Sequence, residues 1–170
     1  MKFTYIISIL AFPLIAFADE GNELIDYRGF QKLSEDVRQI REERRISEEK
    51  FLEMAKEDGT VILDTRSKSK FDKRHIKGAI HLNFSDFTEE SLAKIIPEKT
   101  TRILIYCNNN FKGDQISMPS KRAEIALNVP TFINLHGYGY GNVYELKPLL
   151  DVETTKIPFE GSLVLPENGN

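Results

Sequence analysis

Apolar residues fall into short continuous runs separated by polar stretches with helical spacing. Thr60-Val61-Ile62-Leu63 is one such run, and Arg102-Ile103-Leu104-Ile105-Tyr106 is the strongest. Continuous apolarity, rather than strict alternation, predicts strands buried on both faces, as in a parallel sheet. Ala79-Ile80-His81-Leu82 and Thr131-Phe132-Ile133-Asn134-Leu135 are two further strand candidates. Between them the pattern turns helical. Ser34, followed by Glu35 and Asp36, predicts a helix running to about Arg45. Ser47, with Glu48 and Glu49 in the first turn, predicts a second helix ending at Asp58-Gly59. Thr88 caps a helix that Pro97 stops after Ile96. Ser120–Leu127 and Tyr140–Leu150 also read as helices. Strands alternating with helices predict βαβ units. The fold class is α/β: a parallel sheet with helices on both faces, in a single domain.

The organisation follows from this pattern. Residues 1–18 read as a signal peptide, 19–45 as a loose N-terminal arm and helix, 46–150 as the α/β domain, and 151–170 as a C-terminal tail draped on it. Met1-Lys2 gives a basic start, Phe3–Phe17 is mostly apolar, and Ala16-Phe17-Ala18 is an A-x-A cleavage signal before Asp19-Glu20. The apolar run is short for a membrane span. The expected location is therefore outside the cytoplasm, in a bacterial periplasm, with no stable membrane span after cleavage.

Composition narrows the function. The chain has 170 residues, a formal net charge of −3, and 29% charged residues. That size suits one domain, and the balance is not that of a nucleic-acid binder. Arg38, Arg41, Arg44 and Arg45 are interleaved with Glu42 and Glu43 and read as a solvated helix face. His75, His81 and His136 are separated and make no metal site, so no metal and no cofactor are expected. Gly137-Tyr138-Gly139-Tyr140-Gly141 reads as a tight turn rather than a nucleotide loop.

Cys107 is the only cysteine. It closes the strongest strand candidate and opens into Asn108-Asn109-Asn110. Ligands in open parallel sheets bind beyond the carboxyl ends of the strands, where Cys107 and Asp64 both stand. A single cysteine in an exported chain cannot form an internal disulfide, which marks it as a free reactive thiol or an intermolecular partner. Inward N–H groups from Asn108 to Gly113 would favour its thiolate.

Val61-Ile62-Leu63-Asp64-Thr65-Arg66, then Phe71, then His75-Ile76-Lys77-Gly78-Ala79-Ile80-His81-Leu82 resembles the signature of rhodanese-like domains. In that family a strand ends in Asp-x-Arg and a segment of the type Gly-His-Ile-x-Gly-Ala follows. The strand that delivers the active cysteine matches Ile103–Cys107, and a final strand with a glycine turn matches Phe132–Gly137. The likeness spans roughly residues 46–150. It implies a sulfurtransferase with Cys107 as nucleophile. Asn108, Asn109, Asn110, Phe111, Lys112 and Gly113 would bind the substrate, and Asp64 and Arg66 would support the site. The implied partners are a small sulfur-containing anion such as thiosulfate and a thiol acceptor or acceptor protein. The family loop has the form Cys-x-x-Gly-x-Arg. Here Asn110 stands for the glycine and Lys112 for the arginine, the connection from Phe111 to Pro119 is long, and Lys121 or Arg122 is a candidate to return to the site. Arg74, where the family has glycine, reads as a surface change. A non-catalytic rhodanese-like binding or redox-sensing module is the alternative. A cysteine phosphatase is excluded, because Cys-x5-Arg would need arginine where Gly113 stands.

Overall fold

The computed structural model describes residues 21–164; the signal peptide read over residues 1–18 lies outside them, as does the end of the tail. Asp26 caps α1 (Tyr27–Asp36), accepting a hydrogen bond from the Gly29 N–H at 2.7 Å. The helix expected from Ser34 therefore begins earlier, within the segment read as a loose arm. Ser34 lies inside it, with its Oγ bonded back to the Phe30 carbonyl. Val37, buried, separates α1 from α2 (Arg38–Glu43), and β1 (Arg45–Ile46) follows. Ser47 caps α3 (Glu48–Ala55) as predicted, accepting from the Lys50 N–H. Next come β2 (Thr60–Asp64), α4 (Lys68–Lys73), β3 (His75–Ile76) and β4 (Ile80–His81). Thr88 and Ser91 form a capping box on α5 (Glu89–Ile95). The chain then runs through β5 (Arg102–Tyr106), β6 (Phe111–Lys112), α6 (Asn128–Gly137), β7 (Val143–Leu146), β8 (Leu150–Asp151) and β9 (Phe159–Glu160).

The main sheet has the order β1-β7-β5-β2-β4, and every pair in it is parallel. Its central strand shows why the apolar run is continuous. Leu104 and Tyr106 point to the core that holds Phe51 and Met54 of α3. Ile103 and Ile105 point to the other core, with Leu92 of α5 and with Phe132 and Leu135 of α6. Both faces of β5 are therefore covered by helices. The tail adds β9, antiparallel to β3. Among the described residues no helix is long and apolar enough to cross a membrane.

Three predicted elements change type. Thr131–Leu135 is helical, not a strand. Its buried positions Asn128, Thr131, Phe132 and Leu135 follow helical spacing, and Pro130 sits in the first turn, where it is tolerated. Tyr140–Leu150 is not a helix: Val143–Leu146 pairs with β5, and Pro148 ends any helical continuation. Ser120–Leu127 is extended, apart from one 3-10 turn at Ala123–Ile125. Its apolar residues find no core to bury against, and Ile125 is 63% exposed, so a helix gains nothing by forming.

Candidate active site

Cys107 follows the last residue of β5, so the sheet fixes its backbone. Its side chain lies at the start of α6. The N–H groups of Asn128, Asn109 and Leu127 approach the sulfur, and two of these belong to the first turn and cap of that ten-residue helix. The thiol is only 2% exposed. Burial pushes it above the ordinary cysteine value, the Glu145 carboxylate adds to that rise, and the three N–H groups pull against it without prevailing. The expectation that loop amides would lower this thiol below the ordinary value is thus not met. Desolvation is the larger effect.

The asparagine run after Cys107 divides its work. Asn110, 5% exposed, is a structural clamp. Its Oδ1 accepts from the Cys107 N–H and from Asn128 Nδ2, both at 2.9 Å, and its Nδ2 donates to the Leu146 carbonyl at 2.7 Å. One side chain thereby joins the cysteine, the start of α6 and the end of β7, which gives a physical reason for asparagine where the family pattern has glycine. Asn109 lines the cysteine cavity, and Asn108 lines a neighbouring one. The other expected substrate contacts stand elsewhere. Phe111 is wholly buried and meets Tyr106 and Phe159 edge-on. Lys112 is largely exposed and faces Asp151 at 3.7 Å. Gly113, at φ +93°, turns the chain against Val152 and Asp151.

Beside the thiol is a cavity of about 260 Å³. Its charged lining comes from elements the sequence reading did not attach to the site: Arg41 of α2, Arg45 of β1, Glu145 of β7, and Lys147 just beyond β7. Arg41 grips Glu145 through two hydrogen bonds, Nε to Oε2 at 2.7 Å and Nη2 to Oε1 at 2.8 Å. Arg45 Nε stands 3.7 Å from the same carboxylate. The arginine cluster read as a solvated face is therefore partly an inner wall. The signal that could have found it was Glu145, an acid in a strand that buries Val143 and Leu146. A buried carboxylate requires a cation.

Residues 113–127 form the long connection between the asparagine turn and α6, and the body holds its near half firmly. Arg74 meets Asp114 at 2.9 Å, with both side chains mostly buried. Arg74 also lies over the Phe159 ring, so it is a docking residue rather than a surface change. Burial opposes ionisation of Asp114, but the Ser117 and Ile116 N–H groups and Arg74 keep its carboxyl below the usual range. The far half passes over the thiol, with Ala123 and Ala126 lining its cavity. Of the two candidates to return, Lys121 is tied to Asn109 through its backbone, and Arg122 stays in solvent beside Glu124.

Asp64 and Arg66 form a buried hub. Arg66 Nε donates to both Asp64 oxygens at 3.0 Å, and Nη2 reaches Oδ2 at 2.5 Å. The guanidinium continues to the carbonyls of Ser117 and Arg74. Tyr106 donates its hydroxyl to Asp64, and burial followed by that carboxylate holds the phenol well above its ordinary range. The hub pins the turn after β2 to β5 and to the long connection. The histidines serve the scaffold: His75 stacks on Phe71, His81 reaches the Arg66 carbonyl, and His136 reaches that of Phe132.

A family model described as rhodanese-like domain matches residues 47–147. No curated protein matches the chain. Several solved structures are similar to it. The Alr3790 protein from Anabaena sp. is 20% identical over 70% of this chain and 94% of its own, with a TM-score of 0.49. Protein hp1203 from Helicobacter pylori is 19% identical over 71% and 92%, with a TM-score of 0.45. A structure described as rhodanese with anions from E. coli is 20% identical over 61% and 99%, with a TM-score of 0.41.

Proposed function

Since the chain belongs to the rhodanese-like domain family, whose members include sulfurtransferases and many non-catalytic proteins, we propose that it is a sulfurtransferase carrying a sulfane sulfur on Cys107. The observation that supports this reading is the placement of the thiol. It sits at the end of the central strand, faces the N–H groups that begin α6, and borders a cavity with three cationic side chains. In the first step the Cys107 thiolate attacks the outer sulfur of a thiosulfate-like donor. A new S–S bond forms, the donor's S–S bond breaks, and sulfite leaves with the electron pair. The product is a Cys107 persulfide anion, which the N–H groups of Leu127 and Asn128 would stabilise. In the second step an acceptor thiolate attacks the outer sulfur, forms its own persulfide, and returns Cys107 as a thiolate. The proton of the resting thiol leaves before the first step, and burial holds that thiol above the ordinary cysteine value, so the small thiolate fraction limits the rate near neutral pH.

We also propose that the protein works after export, in the periplasm, because residues 1–18 read as a cleavable signal. N-terminal sequencing of protein recovered from a periplasmic extract should begin at Asp19. A start at Met1 would overturn this.

Deep burial of Cys107 favours a second reading, a non-catalytic module that senses oxidants or binds a partner. Intact mass after incubation with thiosulfate separates the two. A gain of one sulfur, absent in Cys107→Ser, supports transfer. No gain with thiosulfate, or with a low-molecular-weight persulfide, leaves the module.

A further inference from the structure

Cation placement around Cys107 carries an assignment beyond the nucleophile. The lysine standing where the family loop has arginine, Lys112, faces Asp151 on the outside of the molecule. The cysteine cavity nevertheless holds three cations against one carboxylate. Arg41 is committed to that carboxylate by its two hydrogen bonds to Glu145. Arg45 is only loosely held. Its buried Nε makes no hydrogen bond and stands 3.7 Å from the Glu145 carboxylate that Arg41 already grips, and its Nη1 reaches the exposed Glu42 at 3.4 Å. Lys147 makes no ion pair among the described residues, and it lines both this cavity and a wider groove of about 720 Å³. Arg45 lines that groove too, so the two side chains mark the passage between thiol and open surface. Carboxylates near the passage are engaged. Glu48 accepts from Thr155 and the Lys156 N–H, and Glu49 accepts from Ser47 and its own backbone.

We propose that Arg45 and Lys147 form the anion subsite of the Cys107 pocket and bind the charged end of the sulfur donor, with the sulfur to be transferred directed at the thiol. This rests on the sulfur-transfer reading for the identity of the anion, though not for its charge. The geometry moves anion recognition out of the cysteine loop and onto β1 and the end of β7. The donor's class is then a small anion whose charge lies opposite its transferable sulfur, either a thiosulfonate-type oxyanion or a carboxylate-bearing persulfide. Arg45 contributes a planar fork suited to either, and Lys147 a mobile point charge.

The test compares two alkylating reagents of similar size on the purified full chain: iodoacetate, an anion, and iodoacetamide, which is neutral. The ratio of their rates at Cys107 reports the local charge and cancels changes in thiol ionisation. Arg45→Gln and Lys147→Gln should each lower that ratio about threefold, the size of one partly exposed charge interaction. Arg122→Gln, on the exposed connection, should leave it unchanged. Michaelis constants for thiosulfate and for a carboxylate-bearing persulfide, measured in the same variants, identify which donor uses the subsite. Ratios that stay at the wild-type value in both variants overturn the subsite, even if thiosulfate still adds a sulfur. A falling ratio in a protein that accepts sulfur from neither donor keeps the subsite and overturns sulfur transfer. Failure of both reagents to reach Cys107 overturns the subsite as well.

Discussion

Asn109 and Lys121 hold one another through two hydrogen bonds. The Asn109 amide donates to the Lys121 carbonyl at 2.7 Å, and the Lys121 N–H donates to Asn109 Oδ1 at 2.9 Å. From Pro119 to Ala126 the backbone hydrogen bonds are otherwise local turns, such as Ile125 to Arg122 and Ala126 to Ala123. This segment lies over the thiol and is fastened there by one side chain. Asn109→Ala should release it and raise the rate of Cys107 alkylation by iodoacetamide about tenfold, the equivalent of one to two modest hydrogen bonds. Global stability in urea should fall by no more than about 1–2 kcal/mol, because the same hydrogen bonds are lost on unfolding. An unchanged alkylation rate would show that this segment does not control access to the sulfur.

Glu145 is 4% exposed and bound by Arg41. Glu145→Gln removes the one carboxylate lining the cavity among the described residues and leaves Arg41 with only a long ion pair to the exposed Glu42 at 3.9 Å. Breaking such a pair costs about 3–5 kcal/mol when both members are buried. Arg41 is partly reached by solvent, so the expected loss is about 2–3 kcal/mol, read from the urea midpoint. Reactivity should move the other way. The carboxylate contributes to the raised thiol, so its loss increases the thiolate fraction and the alkylation rate at pH 7. A slower reaction in a folded variant would contradict the electrostatic account.

Burial is the first cause of the raised Cys107 thiol, so its titration should lie above the ordinary cysteine value near 8.5. Alkylation should climb about tenfold per pH unit through neutrality and show no plateau until well past that value. The sign for stability follows. The unfolded chain ionises first, so the contribution of the neutral buried thiol is present below the unfolded value and lost as pH rises through the folded one. A plateau near pH 6 would mean that the helix N–H groups outweigh desolvation.

How much of this was legible in the sequence depended on whether neighbours in sequence were neighbours in space. Thr60–Asp64 and Arg102–Tyr106 read correctly because each strand holds a continuous apolar run, Val61–Leu63 and Ile103–Ile105, and the caps Ser47 and Thr88 because their bonds are local. Thr131–Leu135 misread because Thr131 and Ile133 look like strand residues until Asn128 and Phe132 are placed on the same helical face. Cys107 was visible as a lone thiol at a strand end. The cations beside it were not. Arg41 and Arg45 reach the site only because β1 pairs with β7, a contact about a hundred residues away in the chain. Asn110 was visible only as a departure from a pattern, and its four side-chain hydrogen bonds show it to be a clamp.

The Asp64–Arg66 pair sets the geometry that presents β2 and β5 to the long connection. Both residues are at most 2% exposed, and Tyr106 shares the carboxylate. Arg66→Met should cost about 3–5 kcal/mol, because it leaves a buried carboxylate without a cation, held only by the Tyr106 phenol and the backbone N–H of residue 66, and frees the Ser117 and Arg74 carbonyls. Arg66→Lys should recover only part of that, since one ammonium cannot reproduce the fork that spans Asp64 and two carbonyls. Asp64→Asn alone should be costly for the same reason, with the guanidinium now uncompensated. The double variant Asp64→Asn/Arg66→Met removes both charges and should lose less than the sum of the singles by at least about 1 kcal/mol, measured by urea unfolding. Strict additivity would mean that the two side chains stabilise the turn independently and that the hub is not a charge pair in energetic terms.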